Sequence, residues 1–249
     1  YIRAIPSLAG IEINNLDLVF VDDVQEIYVG GLPYGKDPIW ISLEIGDYIT
    51  KDSRIIKFNN YKSSDRSSLA GIYIGTNPET KKALFIPANE DFSYQSLQGD
   101  LKWCEESPIP TSIQNSINPS DVTTNDSLVK TKFNGKSQTD RILAAAAANG
   151  KPLTYFGVSN FCKSFSPGLQ NNNWYLPSVG ELLIIQVNNL VISKSINKIY
   201  PSIPKIQYQY WSSNQTTANH SWCVDLGTGN LSGGGIDSPT RYIVPFLSM

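Results

Sequence analysis

The chain has one histidine, His220, and three cysteines, Cys104, Cys162 and Cys223. A single imidazole excludes a metal centre built on two histidines. It also leaves any serine–histidine–aspartate triad resting on one residue, and no Gly-x-Ser-x-Gly elbow precedes a helix. His220 falls in a polar turn, where a solvated ring is the ordinary state. The cysteines are odd in number and far apart. No pair has zinc-finger or redox-motif spacing, and at most one disulfide can form, so buried or incidental thiols are expected rather than a metal site. Gly135-Lys136-Ser137 mimics the end of a phosphate-binding loop, but Lys130 stands where that motif places its first glycine, and no strongly apolar strand precedes it. It reads as the start of a helix. Glu105-Glu106 is an adjacent acidic pair on a polar stretch, where solvated carboxylates are expected rather than a glycosidase pair. The glycine-rich run 227–235 lacks lysine and arginine, and reads as a hairpin loop with permissive glycines rather than an anion cradle. No catalytic residue, no metal and no cofactor are expected, and the chain reads as a non-enzyme.

Composition narrows the partners. A length of 249 residues accommodates one large domain, or a domain with a smaller companion. A charged fraction of 17% with net charge −2 creates no field for nucleic acid or an anionic membrane, so neither is an expected partner. No apolar run approaches membrane-spanning length. The one methionine is Met249, so the chain reads as a processed or trimmed piece, and the lack of a signal peptide says nothing about secretion.

The elements that would position any site are legible from patterning. Residues 1–45 alternate at 11–13, 16–21, 27–29 and 39–43, with Gly30-Gly31 and Pro33-Tyr34-Gly35 between them, which predicts short strands and tight turns. Forty-odd residues are few for an independent domain, so this is a β-rich N-terminal segment, either the end of a preceding β domain or accessory strands. Gly71–Gly75 and Ala83–Pro87 predict a hairpin across Asn77-Pro78-Glu79-Thr80. Residues 105–130 read as a long polar loop. A helix starts at Ser137-Gln138-Thr139-Asp140, runs through alanines 144–148 and stops at Asn149-Gly150. The organising stretch is Trp174-Tyr175-Leu176-Pro177-Ser178-Val179-Gly180-Glu181-Leu182-Leu183. Pro177 keeps Leu176 extended, Ser178 is an N-cap, and Glu181, three residues on, completes a capping box. Leu182, Leu183, Ile185, Leu190 and Val191 then supply one apolar face, with a continuation near Ser193–Ile199. The tail predicts strands at 207–212, 221–226 and 241–246. The order of strands, helix, helix and strands predicts an α+β fold with two helices on a curved antiparallel sheet.

Several motifs in this order carry a family resemblance: Gly46-Asp47-Tyr48, Gly71-Ile72-Tyr73-Ile74, Asn134-Gly135-Lys136-Ser137-Gln138-Thr139, Cys162, Trp174-Tyr175-Leu176-Pro177-Ser178-x-x-Glu181-Leu182, Tyr210-Trp211-Ser212-Ser213, Trp222-x-Val224 and Arg241-Tyr242-Ile243-Val244-Pro245. Over about 45–249 the chain resembles the Lcl C-terminal domain family of bacterial surface proteins, which is similar to the C-type lectin fold. The resemblance implies a C-type lectin-like ligand-binding domain over 46–249. It further implies display on a bacterial surface, secretion, or a place on a phage particle, with adhesion as the role. It also implies a link to the variable proteins of diversity-generating retroelements in gut bacteria or their phages. One departure matters: with Asp225 and Asp237 the only carboxylates of the tail, calcium-mediated sugar binding lacks its oxygen ligands.

Residues 212–240 are mostly small and polar, with His220, Trp222 and Cys223 among them; adaptable polar groups beside a rigid aromatic also make up surfaces that adapt to partners. Alternation puts Trp222, Val224 and Leu226 on one face and Cys223 with Asp225 on the other. The second pair is expected to be exposed. The expected ligand contacts are Asn214, Thr216, Asn219, His220, Cys223, Asp225, Asn230, Ser232, Ile236, Asp237 and Ser238, with Ile236 as the apolar anchor. The expected function is extracellular binding of a surface protein or glycan through these C-terminal loops, with pilus or phage-tail subunits as further partners. The alternatives are a structural pilus or cell-surface component without its own ligand, or an enzyme on a lectin-like scaffold.

Overall fold

The computed structural model describes residues 19–21, 27–29, 32–33, 43–88, 101–117, 122–168, 173–201, 208–239 and 241–249, the first three ranges by backbone alone. Strands β1 (Val19–Val21), β2 (Ile27–Val29) and β3 (Leu32–Pro33) form a small antiparallel meander. The alternating run at 11–13, and that at 39–43 apart from Leu43, lie outside the described residues.

The main sheet has six strands: β4 (Tyr48–Thr50), β5 (Ile55–Ile56), β6 (Leu69–Thr76), β7 (Ala83–Pro87), β8 (Trp174–Tyr175) and, at the C-terminus, β12 (Phe246–Ser248). Their order is β5-β4-β6-β7-β12-β8, antiparallel throughout. β12 slots between β7 and β8, so the end of the chain closes the sheet onto the organising stretch. Period-two alternation sorts the side chains. Tyr48, Ile72, Leu84, Ile86, Tyr175 and Phe246 face one core, and Ile49, Tyr73, Phe85, Trp174 and Leu247 face another. Trp174 is fully buried, edge-on to Phe165 at 5.1 Å.

A second sheet carries β9 (Gln209–Thr217), β10 (His220–Asp225) and β11 (Leu231–Gly235) in the order β11-β10-β9. It is sandwiched. Tyr210, Trp222, Val224 and Leu226 join the core under the main sheet. Trp211, Cys223 and Ile236 join a different core with Trp103 and the helices α1 (Thr111–Ser116), α3 (Gly135–Ala148) and α4 (Gly157–Ser164). Ala145 and Ala146 of α3 are buried there, and their small side chains let the helix approach closely.

Three expectations change here. The α+β class and antiparallel sheets are as the pattern predicts, but the described residues hold six α-helices rather than two. α1 and α2 (Asp126–Val129) fall inside the stretch that reads as loop, each under two turns, too short for apolar periodicity to register. The glycine run is a strand for its second half, β11. A Cβ at Gly234 would meet Trp211 Cη2 at 2.7 Å and Cys223 Sγ at 2.8 Å, so glycine here makes room for the Trp211 ring and the Cys223 thiol. Finally, Leu190 and Val191 are 66% and 43% exposed. Helix α5 (Val179–Val187) ends at Asn188, and α6 (Asn189–Ile199) leaves at 77°. The bend resets the helical phase, so Ile192, Ile196 and Ile199 take the core side instead. No single helix among the described residues is long and apolar enough to cross a membrane.

The start of α5 is the most heavily tied point of the fold. Ser178 and Glu181 form the capping box. The Ser178 N–H donates to Glu181 Oε2 at 2.9 Å, the Val179 N–H to Asn214 Oδ1 at 2.8 Å and the Gly180 N–H to the Lys132 carbonyl at 3.0 Å. Glu181 is 1% exposed, and its Oε1 accepts from the Tyr175 hydroxyl at 3.0 Å and from Asn77 Nδ2 at 3.1 Å. A Cβ at Gly135 would stand 2.5 Å from the Ser178 nitrogen, so α3 can start here only on glycine.

Burial pushes the Glu181 carboxyl above its ordinary value, against the pull of the hydrogen bonds from Ser178, Tyr175 and Asn77. A carboxyl raised in the fold adds stability that is complete below its unfolded value and is lost as pH rises through the folded one. Glu181→Gln would place an amide N–H₂ among donors. It is expected to cost about 1–3 kcal/mol in acid, with the gap to the unsubstituted protein narrowing towards neutral pH in thermal melts. A gap that widens with pH would mean the fold lowers this carboxyl instead. Trp174→Ala is expected to cost roughly 3–5 kcal/mol, and an unchanged melting temperature would remove Trp174 from the core.

Candidate functional site

The candidate contacts do not form one patch. Three are buried. Asn214 is 0% exposed and spends its side-chain oxygen on the first N–H of α5. Cys223 is 0% exposed, which corrects its expected place at the surface. Alternation assigns its face correctly, but that face is covered by the alanine helix and Trp211. Ile236 is also 0% exposed; its N–H donates to the Asn219 carbonyl at 3.1 Å and its carbonyl accepts from the Cys104 N–H at 2.9 Å. It anchors the core, not a ligand.

The remainder divide between the two ends of the small sheet. Asp225 and Asn230 belong to the turn from β10 to β11. Asp225 Oδ1 accepts from the Gly227 and Thr228 N–H groups at 2.9 and 2.8 Å, and its own N–H donates to the Asn230 carbonyl at 2.9 Å. The carboxylate is engaged in folding its turn, which α6 holds through Asn189 Nδ2 on the Leu226 carbonyl at 2.7 Å. Ser232 sits mid-strand opposite Cys223, half-buried.

The other end gathers Thr216, Asn219, His220, Asp237 and Ser238. His220 pairs with Gly235 across the sheet, a Cβ at Gly233 would lie 3.8 Å from that of His220, and one at Gly235 would lie 3.4 Å from Asp237 Oδ1. Five residue steps along β10, from His220 to Asp225, separate this tip from the Asp225 turn, roughly 17 Å. The tip is strapped rather than loose. The Ile109 N–H donates to the Ala218 carbonyl at 3.0 Å, the Asn219 N–H to Thr217 Oγ1 at 3.2 Å and the Ser238 N–H to the Gly235 carbonyl at 3.0 Å. Asn219, His220 and Asp237 are exposed, and Thr216 and Ser238 partly so.

This surface can offer amide, hydroxyl, imidazole and carboxylate hydrogen bonds to a polar partner. It is poorly equipped for covalent chemistry. The His220 Nδ1 lies 3.3 Å from the Thr217 hydroxyl on an exposed turn, and no carboxylate orients the ring among the described residues. Burial pushes the Cys104 thiol up to about 11 and the Cys223 thiol up to about 12, the latter against the pull of Arg241, and burial alone raises Cys162. All three cysteines are free. Among the described residues no group of three histidine, cysteine or acidic side chains could hold a metal ion.

The division of labour is open to test. Asn214→Ala removes a cap and is expected to cost about 0.5–2 kcal/mol. Combined substitution of Thr216, Asn219 and His220 by alanine is expected to move the melting temperature by no more than a few degrees. The reverse ranking would make the tip structural and Asn214 dispensable.

No protein-family model matches the sequence. No curated protein matches it either. The motif resemblance to the Lcl C-terminal domain family therefore has no family match behind it. Among solved structures, the fold is similar to that of a fimbrial protein from Bacteroides ovatus ATCC 8483, with a TM-score of 0.62 at 15% sequence identity over 83% of this chain and 49% of that one. The chain spans about half the length of that neighbour, and at this identity the likeness is one of fold.

Proposed function

We propose that the chain is a structural component of a bacterial surface fibre, exported to the cell surface and assembled there with other subunits. The likeness of fold to a fimbrial protein carries this reading. It is supported by the chemistry of the exposed groups, which suits holding a partner rather than transforming one, and by the buried, raised thiols. On this reading residues 46–249 are the main domain and 1–45 a β-rich segment before it. Immunogold labelling of intact cells that make the protein, with antibody raised against this chain, should decorate surface fibres. Label confined to the cell interior, or spread over a fibre-free surface, would overturn the proposal.

A second reading is favoured by one observation, the concentration of exposed or partly exposed polar groups on a strapped turn at Thr216, Asn219 and His220. A fibre subunit with such a tip would bind a surface protein or glycan there. Cells carrying the triple-alanine variant should still build fibres but lose adhesion to the surfaces the unsubstituted strain binds. Adhesion that survives with fibres intact places no ligand at this tip.

A further inference from the structure

Where α3 meets β9, the interior holds polar groups that the protein itself leaves unpaired. Gln138 is 0% exposed, and neither its Oε1 nor its Nε2 has a hydrogen-bond partner among the described residues. Exchanging the two ends of the amide changes nothing, because both are unpaired. Ser213 and Asn214 on β9 are also 0% exposed, and the Ser213 hydroxyl and Asn214 Nδ2 are likewise unpaired. Turning the Asn214 amide over is no remedy, since its oxygen accepts the Val179 N–H at 2.8 Å.

These groups gather round one short segment. Thr139, next to Gln138, accepts the Leu176 N–H at 3.0 Å. The Ser213 N–H donates to the Pro177 carbonyl at 2.8 Å, and Asn214 takes the N–H of Val179. Helical phase puts Gln138 on the matching flank of α3. Asp140, two residues on and so on the opposite side of the helix, pairs with Lys163 of α4 at 2.6 Å. The Gln138 flank is thereby left towards α1 and β9, against which α3 also packs. Ile142, one turn along, already belongs to the apolar core with Trp211. Buried polar groups that find no protein partner are met by ordered water, and a buried water makes about three hydrogen bonds to such groups. Gln138, Ser213 and Asn214 offer four unpaired atoms, enough for one such molecule. None of the three side chains is charged, so a neutral ligand that both donates and accepts suits them, and an ion does not.

We propose that internal water bound among Gln138, Ser213 and Asn214 joins α3 to β9 beside the start of α5. Water meets the Asn214 N–H, which only donates, and the Gln138 amide, which donates at one end and accepts at the other. A crystal structure of the full chain, at a resolution that places ordered solvent, should show a water within about 3.2 Å of the Gln138 amide and of Ser213 or Asn214. A Gln138 amide bonded directly to protein groups, or one with no solvent density beside it, would overturn the proposal. In solution, magnetic relaxation dispersion of isotopically labelled water reads long-lived internal molecules. Its amplitude should fall when Gln138→Leu and Ser213→Ala are combined, and an unchanged amplitude would count against the site. Each single substitution should lower the melting temperature by several degrees. The pair together should lower it by less than the sum, because each single change strands a group that the double change removes. Additive shifts would mean that Gln138 and Ser213 share no ligand. The diffraction result decides the matter even where a variant fails to fold.

Discussion

A helix that begins inside a core must find partners for its first N–H groups where water cannot supply them. The α5 helix begins that way, and most of the fold is arranged to meet the demand. Its first N–H goes to Asn214 on β9, its second to the carbonyl of Lys132 before α3, and the cap N–H to Glu181. The carboxylate brought in for the last of these is itself buried and needs donors, which come from Tyr175 on β8 and from Asn77 in the β6–β7 turn. Asn77 is saturated in turn: its oxygen accepts from the Glu79 and Thr80 N–H groups, and its nitrogen donates to the Phe133 carbonyl as well as to Glu181. One local constraint thus ties four separate segments together. Leaving any one of these buried groups unpaired costs about 1–3 kcal/mol, a large share of a domain's net stability.

The same economy of space shapes the small sheet. Both its faces are covered, so its side chains are divided between two cores and only its ends and one edge reach solvent. Gly234 and the alanines of α3 are small because Trp211 and Cys223 lie between them. Trp103 closes the arrangement by donating from Nε1 to the Ser212 carbonyl at 2.8 Å. Any function in the tail is therefore confined to turns, and the two turns differ. The Asp225 turn consumes its own carboxylate, whereas the Thr216–His220 turn engages the Thr216 and Thr217 hydroxyls and His220 Nδ1 within itself and leaves Asn219 exposed.

What the sequence made legible was whatever is local. The Ser178–Glu181 box, the hairpin over 71–87, the alanine helix ending at Asn149-Gly150 and the strands around Trp211 and Val224 each announce themselves within a few residues, and all are present. What stayed hidden depends on partners far along the chain. Nothing near Cys223 says that α3 covers it, and nothing near Gly234 says that a tryptophan ring lies on it. Asn214 looks like one more polar loop residue until α5 is placed against it. The phase slip at Asn188, which turns Leu190 and Val191 outward, breaks a periodicity that is otherwise sound.

These features bear on how such a scaffold can carry more than one role. The residues that hold the start of α5 together are buried polar groups whose bonds reach several segments, with Asn214 Nδ2 left without a hydrogen-bond partner among the described residues, and substitution there disturbs several segments at once. Thr216 lies two residues along β9 from Asn214, which takes the first N–H of α5, so the turn and the start of α5 are neighbours on one strand. The side chains of Asn219 and His220 reach solvent because neither the start of α5 nor either core of the small sheet engages them.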